Sequence, residues 1–287
     1  MTYRDLRYLR LRVDDLDQAR RFAGEVFGLQ PADQGEDFAM FRSDARNYSL
    51  CLTGGAVDDA VALSVARSED LDEIEAQLRA TGHDPQRLTG AQATARQSKS
   101  GLAVKAPNGV TIEIVWRPLT SGWRCHGPRD AGIVDFAAVQ LCCTDIAANE
   151  TFWTRGLGLR VSDWAGDAAY LTLDDAHHRI ALYPSDRDGI LGALWEVDDK
   201  DSLMRNRYFL EKSQLPIIAG PDRQAASNGF YVTTRGPAGM LFSYVTEFDK
   251  GPHIAARGPR QFAGTAQSHG IWGAPTEQPE FLGRDGL

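Results

Sequence analysis

The chain has 287 residues, of which 43% are hydrophobic and 24% charged, a composition typical of a globular protein long enough for two domains. Its formal net charge of −8 argues against a nucleic-acid or anionic-membrane partner, because both would repel an acidic surface. Four cysteines without a CxxC pair, and an N-terminus without an apolar signal segment, predict buried free thiols and a cytoplasmic location.

The first half of the chain predicts an ordered series of strands and helices. Leu6 to Val13 alternates as a strand, and Asp15 caps a helix over 16–27 that Gly28 ends. The polar stretch 84–100 predicts a loop. The other predicted elements are strands at 38–41, 48–52 and 60–65, a helix at 68–80, and a hairpin of 102–104 with 110–116.

The same order recurs in the second half. Asp145 caps a helix over 146–157 that Gly158 ends, and a second helix runs from Asp199 to about Leu210. Strands are predicted at 136–143, 168–173, 179–183, 191–197, 230–233 and 240–245. The tail, residues 251–287, has no periodicity and predicts an extended arm over the surface.

The recurrence is an internal repeat. Matching positions lie 130 residues apart, as in the pairs Leu11 and Leu141, Asp15 and Asp145, Gly28 and Gly158, Gly109 and Gly239. DDAHH at 174–178 matches SDARN at 43–47 with a shift of 131. We therefore predict an α+β fold of two tandem domains, each a pair of βαβββ units that form a curled, barrel-like sheet around a cavity. The predicted boundaries are 1–118 and 133–250, with a linker at 119–132 and the tail at 251–287.

The duplication, the Gly-Leu pairs at 28–29 and 158–159, the His177-His178 pair and the PRQF…WG tail together resemble a known family over about residues 1–275. This family is the two-domain type I extradiol ring-cleaving dioxygenases, the 2,3-dihydroxybiphenyl 1,2-dioxygenase-like branch of the vicinal oxygen chelate superfamily. The resemblance implies a catechol bound in the C-terminal barrel on Fe(II), which two histidines and one glutamate hold. It also implies a homo-oligomer and an N-terminal barrel without a site, where Tyr8, Ala60 and Glu113 take the ligand places.

Carried onto this sequence, the family's three ligand positions fall on Ala138, Gly192 and Ser243. None of these residues can bind iron in the family's manner, so we predict that the protein has no metal and needs no cofactor. These three positions, together with Gln140 and the aromatic Tyr170, should line the substrate cavity.

Two further residues match family positions that handle the substrate. His178 matches the proton-handling histidine beside the catechol oxygen, and Tyr231 matches a tyrosine that hydrogen-bonds the substrate. Because neighbours in a strand face opposite ways, His177 should face away and be structural. His269 and three other histidines, His83, His126 and His253, fall in predicted loops.

We therefore predict a metal-independent enzyme that acts on a small phenolic, catecholic or ring-cleavage-derived compound. His178 and Tyr231 would be catalytic, through proton transfer in a tautomerisation, a decarboxylation or a C–C cleavage. One alternative is an Fe(II)-dependent extradiol dioxygenase with altered ligands. Another is a protein that binds an aromatic compound without turning it over. The expected partners are a small aromatic substrate and further copies of the chain, and neither nucleic acid nor membrane.

Overall fold

The computed structural model describes residues 2–283, and within them two large mixed sheets of eight and nine strands. The elements of the first half are β1 (Tyr3–Arg12), α1 (Leu16–Arg21, continued by a π-helical turn over Phe22–Val26), β2 (Gln30–Gln34), β3 (Phe38–Arg42), β4 (Leu50–Thr53), β5 (Ala60–Val65), α2 (Glu69–Ala80), β6 (Gln86–Arg87), α3 (Gly90–Ala95), β7 (Ser100–Lys105) and β8 (Thr111–Trp116).

The second half repeats this series and adds a structured tail. Its elements are β9 (Ile133–Cys143), α4 (Ile146–Thr151, continued by a π-helical turn over Phe152–Gly156), β10 (Arg160–Ala165), β11 (Ala168–Thr172), β12 (Ile180–Pro184), β13 (Gly189–Val197), α5 (Lys200–Lys212), β14 (Ile217–Arg223), β15 (Phe230–Arg235), β16 (Leu241–Thr246), α6 (Pro252–Ala256), β17 (Arg260–Phe262) and α7 (Ala266–His269), with 3-10 turns at Pro237–Gly239 and Pro279–Phe281.

The two sheets have the same topology. Their strand orders are β2-β3-β4-β1-β5-β8-β7-β6 and β14-β15-β16-β13-β9-β12-β11-β10-β17. In each, the first strand runs parallel to one neighbour and antiparallel to the other, so two βαβββ units join side by side. The predicted α+β fold is confirmed. The sequence missed β2 because its residues are polar and mostly exposed, and the stretch 84–100 holds β6 and α3 instead of a loop.

The shift of the repeat is 130 at the histidine pair as well. The isolated bridge between Arg46 and Thr120 recurs between Ala176 and Lys250. The same hydrogen bond closes the turn before each bridge. The backbone N–H of Arg46 donates to the side chain of Asp44, and that of Ala176 donates to the side chain of Asp174. The predicted shift of 131 at this stretch is therefore wrong, and the equivalent of His178 is Tyr48.

The two sheets share one apolar core in which aromatic rings from both halves meet. Phe27 stacks on Tyr244 with ring centroids 4.2 Å apart and meets Trp195 edge-on at 5.0 Å. Polar contacts cross the same junction, because Asn108 Nδ2 donates to the carbonyl of Cys142 at 3.1 Å. The domain boundaries themselves remain a prediction.

The tail differs from the predicted extended arm. Strand β17 adds to the edge of the second sheet, parallel to β10, and α7 buries His269 with 5% of its surface exposed. The tail therefore covers the second sheet, held there by the pairing of β17 with β10 and by the buried side chain of His269. None of the helices within residues 2–283 is both long and apolar enough to span a membrane.

Candidate functional site

A small cavity lies on the inner face of the second sheet, under the tail. It encloses about 20 Å³, which is room for about one ordered water molecule. Of the residues predicted to line it, Gln140, Tyr231 and Ser243 do so. The lining also includes Tyr183, Leu194, Gln224, Ser227, Gly229, Thr233, Val245, His269 and Phe281.

The three predicted ligand positions do not form one cluster. Leu194 on β13 pairs with both Ala138 and Ser243 on the neighbouring strands. Gly192 lies two residues before Leu194 on the same strand. A Cβ at this position would stand 2.9 Å from Gln140 Oε1 and 2.7 Å from the carbonyl oxygen of Leu241. Gly192 and Ala138 are not among the lining residues, so the prediction that they line the cavity is wrong. A bulge in β13 between Ile190 and Gly192 shifts the register there.

A buried chain of hydrogen bonds runs beside this cavity. His177 Nε2 lies 2.7 Å from Asp163 Oδ2, and His177 Nδ1 lies 2.9 Å from His178 Nδ1. His177 is 0% and His178 1% exposed. The prediction that His177 faces away is wrong, because residues 174–178 form a turn and not a strand, so strand alternation does not apply.

The tail anchors the first member of this chain. Arg257 donates through both Nη atoms to the two oxygens of Asp163, each at 2.8 Å. Arg260 donates from its backbone N–H and from Nη2, each at 2.7 Å. Burial raises the pKa of Asp163, but the hydrogen bonds from His177, Arg260 and Arg257 outweigh it and hold that pKa far below its usual range.

An ionised Asp163 assigns the proton positions on both rings. A carboxylate only accepts, so His177 carries a proton on Nε2. Burial lowers the pKa of the His177 ring, so the ring is neutral and its Nδ1 is bare. That bare nitrogen can only accept, so His178 Nδ1 is the donor and His178 Nε2 is left without a proton. Burial first, and then the nearby His177, lowers the pKa of His178 well below 6.5, so its ring is neutral at pH 7.

His178 and Tyr170 stand behind the lining and not in it. The His178 ring lies between Tyr170 and Phe248, with ring centroids 4.9 and 4.8 Å away. The hydroxyl of Tyr170 accepts from Gln224 Nε2 at 3.0 Å, and Gln224 does line the cavity. The predicted aromatic wall residue is therefore one layer deeper than expected, and it connects the histidine to the cavity's polar side chains.

The polar groups that line the cavity are unequally satisfied. Tyr231 donates its hydroxyl proton to the backbone carbonyl of His269 at 3.0 Å, so its oxygen is left as an acceptor. Gln140 Nε2 makes a long contact of 3.4 Å to the hydroxyl of Tyr183, and its Oε1 is buried without a partner. A buried amide oxygen without a donor is costly, and this one belongs to a side chain that lines the cavity.

Sequence reasoning missed His269, which lines the cavity from α7. Burial lowers its pKa from 6.5 to about 4. It was missed because its place depends on a tail without periodicity. The same holds for Asp163, whose partners come from the turn 174–178 and from the tail.

Comparison with known proteins gives the class of this fold and site. The sequence profile of the Glyoxalase/Bleomycin resistance protein/Dioxygenase superfamily matches residues 135–244. The chain is 32% identical over 261 residues to a biphenyl-2,3-diol 1,2-dioxygenase of Sphingomonas paucimobilis, covering 84% of this chain and 87% of the relative. It is 28% identical over 203 residues to the 3-methylcatechol 2,3-dioxygenase of Pseudomonas putida, covering 63% of this chain and 68% of that one.

A solved structure extends the likeness over the whole fold. The Mn(II)-bound glyoxalase from Novosphingobium aromaticivorans superposes with a TM-score of 0.86 at 22% identity and covers 100% of this chain and 96% of its own. The chain therefore belongs to the Glyoxalase/Bleomycin resistance protein/Dioxygenase superfamily. Within it, the chain is a member of the two-domain extradiol dioxygenase family, as the resemblance in the sequence implied.

These comparisons overturn the prediction that the protein needs no cofactor. Its relatives are dioxygenases of 3-methylcatechol and of biphenyl-2,3-diol, and a solved structure with the same fold was determined with Mn(II) bound. A metal cofactor is therefore what the family indicates.

The inward residues of this chain do not fit the family's iron site. Ala138 and Leu194 have no ligating atom, and Ser243 Oγ is engaged with Thr233 Oγ1 at 2.8 Å. Within residues 2–283, no three His, Cys, Asp or Glu side chains stand together so that they could hold a metal ion.

Proposed function

We propose that this protein is an enzyme of aromatic-compound metabolism that binds a small catecholic or phenolic ring in the C-terminal barrel. A ring needs more room than the cavity of about 20 Å³ offers, so binding requires the tail residues that line it, His269 and Phe281, to move outward. The observation that carries the proposal is the buried chain Asp163–His177–His178 beside the cavity. Stability alone does not explain such an arrangement, since two neutral histidines hydrogen-bonded in the core cost desolvation that an apolar pair would avoid.

The chain of hydrogen bonds fixes which nitrogen of His178 can accept a proton, on a ring whose pKa burial lowers. Its Nε2 is the bare nitrogen, and a proton that arrives there is stabilised through Nδ1 by His177 and, beyond it, by Asp163. A phenolic hydroxyl is a suitable donor, because the phenolate that forms is itself an anion next to the new imidazolium. Gln140 and Tyr231 would orient the ring from the cavity side.

Ring-cleaving dioxygenation of a catechol is our first candidate reaction, because the family resemblance implies ring cleavage and the relatives are named as dioxygenases of 3-methylcatechol and biphenyl-2,3-diol. In it His178, which stands behind the lining residues, would take the proton of one catechol hydroxyl once the ring enters and the side chains in front of the histidine move aside. Because the inward residues do not fit the family's metal site, we assign no residue to the metal and derive no step through it.

A proton-transfer reaction of a phenol or enol is our second candidate, and the protonation pattern of the two histidines favours it. It covers tautomerisation, decarboxylation and C–C cleavage, in each of which a neutral imidazole removes or returns a proton. A cytoplasmic location and a homo-oligomeric assembly stay predictions.

One experiment tests the proposal and separates the two reactions. The purified chain, loaded anaerobically with Fe(II) or Mn(II), is mixed with catechol, 3-methylcatechol and 2,3-dihydroxybiphenyl, with oxygen uptake and the yellow ring-fission product as readouts. Oxygen uptake that His178→Gln abolishes supports the first candidate. Turnover of a phenol or enol without oxygen uptake, likewise lost in His178→Gln, supports the second. Binding of these compounds without turnover, unaffected by His178→Gln, would overturn the proposal in favour of a binding protein.

A further inference from the structure

The N-terminal sheet, for which the sequence predicts no site, encloses a larger cavity than the C-terminal one. Its volume is about 320 Å³, at the lower end of the range for small-molecule sites, about 300–1,000 Å³. The cavity occupies the equivalent place, because Arg10, Thr53, Thr94 and Gln97 line it where Gln140, Tyr183, Gln224 and Ser227 line the other, each 130 positions on. None of the described tail residues lines it.

The base of this cavity carries a net positive charge. Glu113 is 0% exposed and accepts from the Tyr8 hydroxyl, from Arg10 Nη1 and Nη2 at 3.2 and 3.0 Å, and from Arg96 Nε and Nη2 at 2.8 and 2.6 Å. Burial raises the pKa of Glu113, but the hydrogen bond from Arg96 and the charges of both arginines lower it below its ordinary value. Two guanidinium groups therefore face one carboxylate.

Each of the two guanidinium groups has N–H donors that make no hydrogen bond within residues 2–283. An arginine has five N–H groups. Arg10 uses one on the carbonyl of Asp58 and two on Glu113. Arg96 uses one on the carbonyl of Gln92 and two on Glu113. Asp33 is the acid among the lining residues, and its side chain is exposed to water, which screens its charge.

The walls of the cavity suit a flat apolar body. Tyr8 and Tyr48 stack with ring centroids 4.7 Å apart, and Phe38, Met40 and Val57 complete the apolar lining. The Thr53 hydroxyl, on a residue 6% exposed, is buried in the lining without a hydrogen-bond partner. A buried hydroxyl without a partner in the lining of a cavity has its hydrogen-bonding capacity free for a ligand group.

We propose that the N-terminal cavity is a second binding site, for a monocyclic aromatic carboxylate. The planar arginine fork matches a carboxylate better than a phenolic oxygen, the tyrosines take the ring, and Thr53 binds a ring substituent. The site is independent of the reaction assigned to the C-terminal barrel.

Benzoate is the probe, and benzamide, which has the same shape without the charge, is its matched control in titration calorimetry with the full chain. Benzoate should bind at least about tenfold more tightly than benzamide, since charge-assisted hydrogen bonds are the stronger kind. Arg96→Gln should weaken benzoate binding about tenfold, whereas Arg12→Gln, an exposed arginine on the same strand as Arg10, should leave it unchanged.

A second pair of variants and the alkylation rate of a cysteine test whether benzoate binds in this cavity. Val57, 43% exposed and part of the lining, is replaced by Trp to cover the mouth, and Met204→Trp on α5 is the control. Benzoate should no longer bind Val57→Trp. In the wild type it should slow the alkylation of Cys51, which lines the cavity, and not that of the more exposed Cys125.

Three results would overturn the proposal. The first is equal affinity for benzamide and benzoate, which would remove the role of the arginines. The second is equal binding of benzoate to Val57→Trp and the wild type with Cys51 unprotected, which would place the ligand elsewhere. The third is no binding of benzoate even at about 10 mM, a concentration at which weak complexes still form.

Discussion

The two barrels share a fold but differ in the side chains that they bury on their inner faces, which are charged in one barrel and neutral in the other. The N-terminal barrel keeps an ionic cluster on its inner face, with Glu113 between Arg10 and Arg96. At the equivalent places the C-terminal barrel has Ser243 and Gln140, which are neutral. The buried charge of the C-terminal barrel lies instead between the sheet and the tail, where Asp163 forms ion pairs with Arg257 and Arg260.

One pair of equivalent aspartates shows what the tail contributes. Asp163 is 0% exposed and has Arg257, Arg260 and His177 as partners. Asp33, 130 positions earlier, is exposed at the rim of its cavity. The same residue type at the same place is an anchor in one barrel and a solvated rim charge in the other, because only one of the two barrels is covered by the tail. The predictions below test this difference.

The largest effect is expected from Asp163→Ala. It leaves two arginines and a histidine without their shared acceptor, and breaking a buried pair in this way costs about 3–5 kcal/mol of unfolding free energy. Asp33→Ala at the equivalent place should change stability by less than about 0.5 kcal/mol. Urea denaturation measures both, and limited proteolysis of the tail should accelerate only in Asp163→Ala. Equal losses in the two variants would contradict the anchoring role.

The second prediction concerns His178. His178→Gln keeps a hydrogen-bond donor to His177 Nδ1 but cannot carry a proton, so turnover should fall by about 10²–10⁴-fold, the usual contribution of an acid–base group. His253→Gln, an exposed histidine on α6, is the matched control and should retain full turnover. If His178→Gln loses less than about tenfold in kcat while its melting curve is unchanged, the proton-transfer role is wrong.

Acid should destabilise the C-terminal barrel before the N-terminal one. His177, His178 and His269 all have a lowered pKa, with burial as the largest cause, and that of His269 is about 4. The unfolded chain therefore binds more protons than the folded chain between about pH 6.5 and 4, so stability falls as the pH drops through that window. For His269 alone the loss reaches roughly 3 kcal/mol at pH 4, from the 1.36 kcal/mol that one pKa unit represents.

Hydrogen exchange at pH 6.5 and at pH 5, followed by peptide mass spectrometry, measures the loss of stability of each barrel on acidification. Protection should drop first in peptides of β9 to β17. His269→Gln should flatten the pH dependence of unfolding, and His253→Gln should not. An equal loss of protection in both sheets would show that another set of groups dominates.

The sequence predicted what depends on local periodicity. Gln140 on β9 was found because side chains alternate along a strand and it lies two positions beyond Ala138, whereas Tyr231 on β15 was found through the family resemblance. The duplication was found because the same capping and turn residues recur at a fixed distance.

What the sequence missed depends on contacts between distant segments. His177 was expected to face away because the turn at 174–178 was taken for strand. Its partner Asp163 lies in a strand that had not been predicted, and Arg257 and Arg260 lie more than 90 residues further along the chain. Gly192 was placed in the lining because a one-residue bulge in β13 leaves no trace in the sequence pattern.

A small effect on stability is expected from a substitution on the neutral inner face of the C-terminal barrel. Gln140→Leu removes a buried amide oxygen that has no partner and one long contact to Tyr183, and leucine fills a similar volume. Because no good hydrogen bond is lost, the unfolding free energy should change by less than about 1 kcal/mol. Arg10→Leu at the equivalent place removes two bonds to the buried carboxylate of Glu113 and should cost far more. Urea denaturation of the two variants side by side measures the contrast. If Gln140→Leu cost as much as Arg10→Leu, the amide would have a structural role in the C-terminal barrel, and the inner faces would be more alike than their charges indicate.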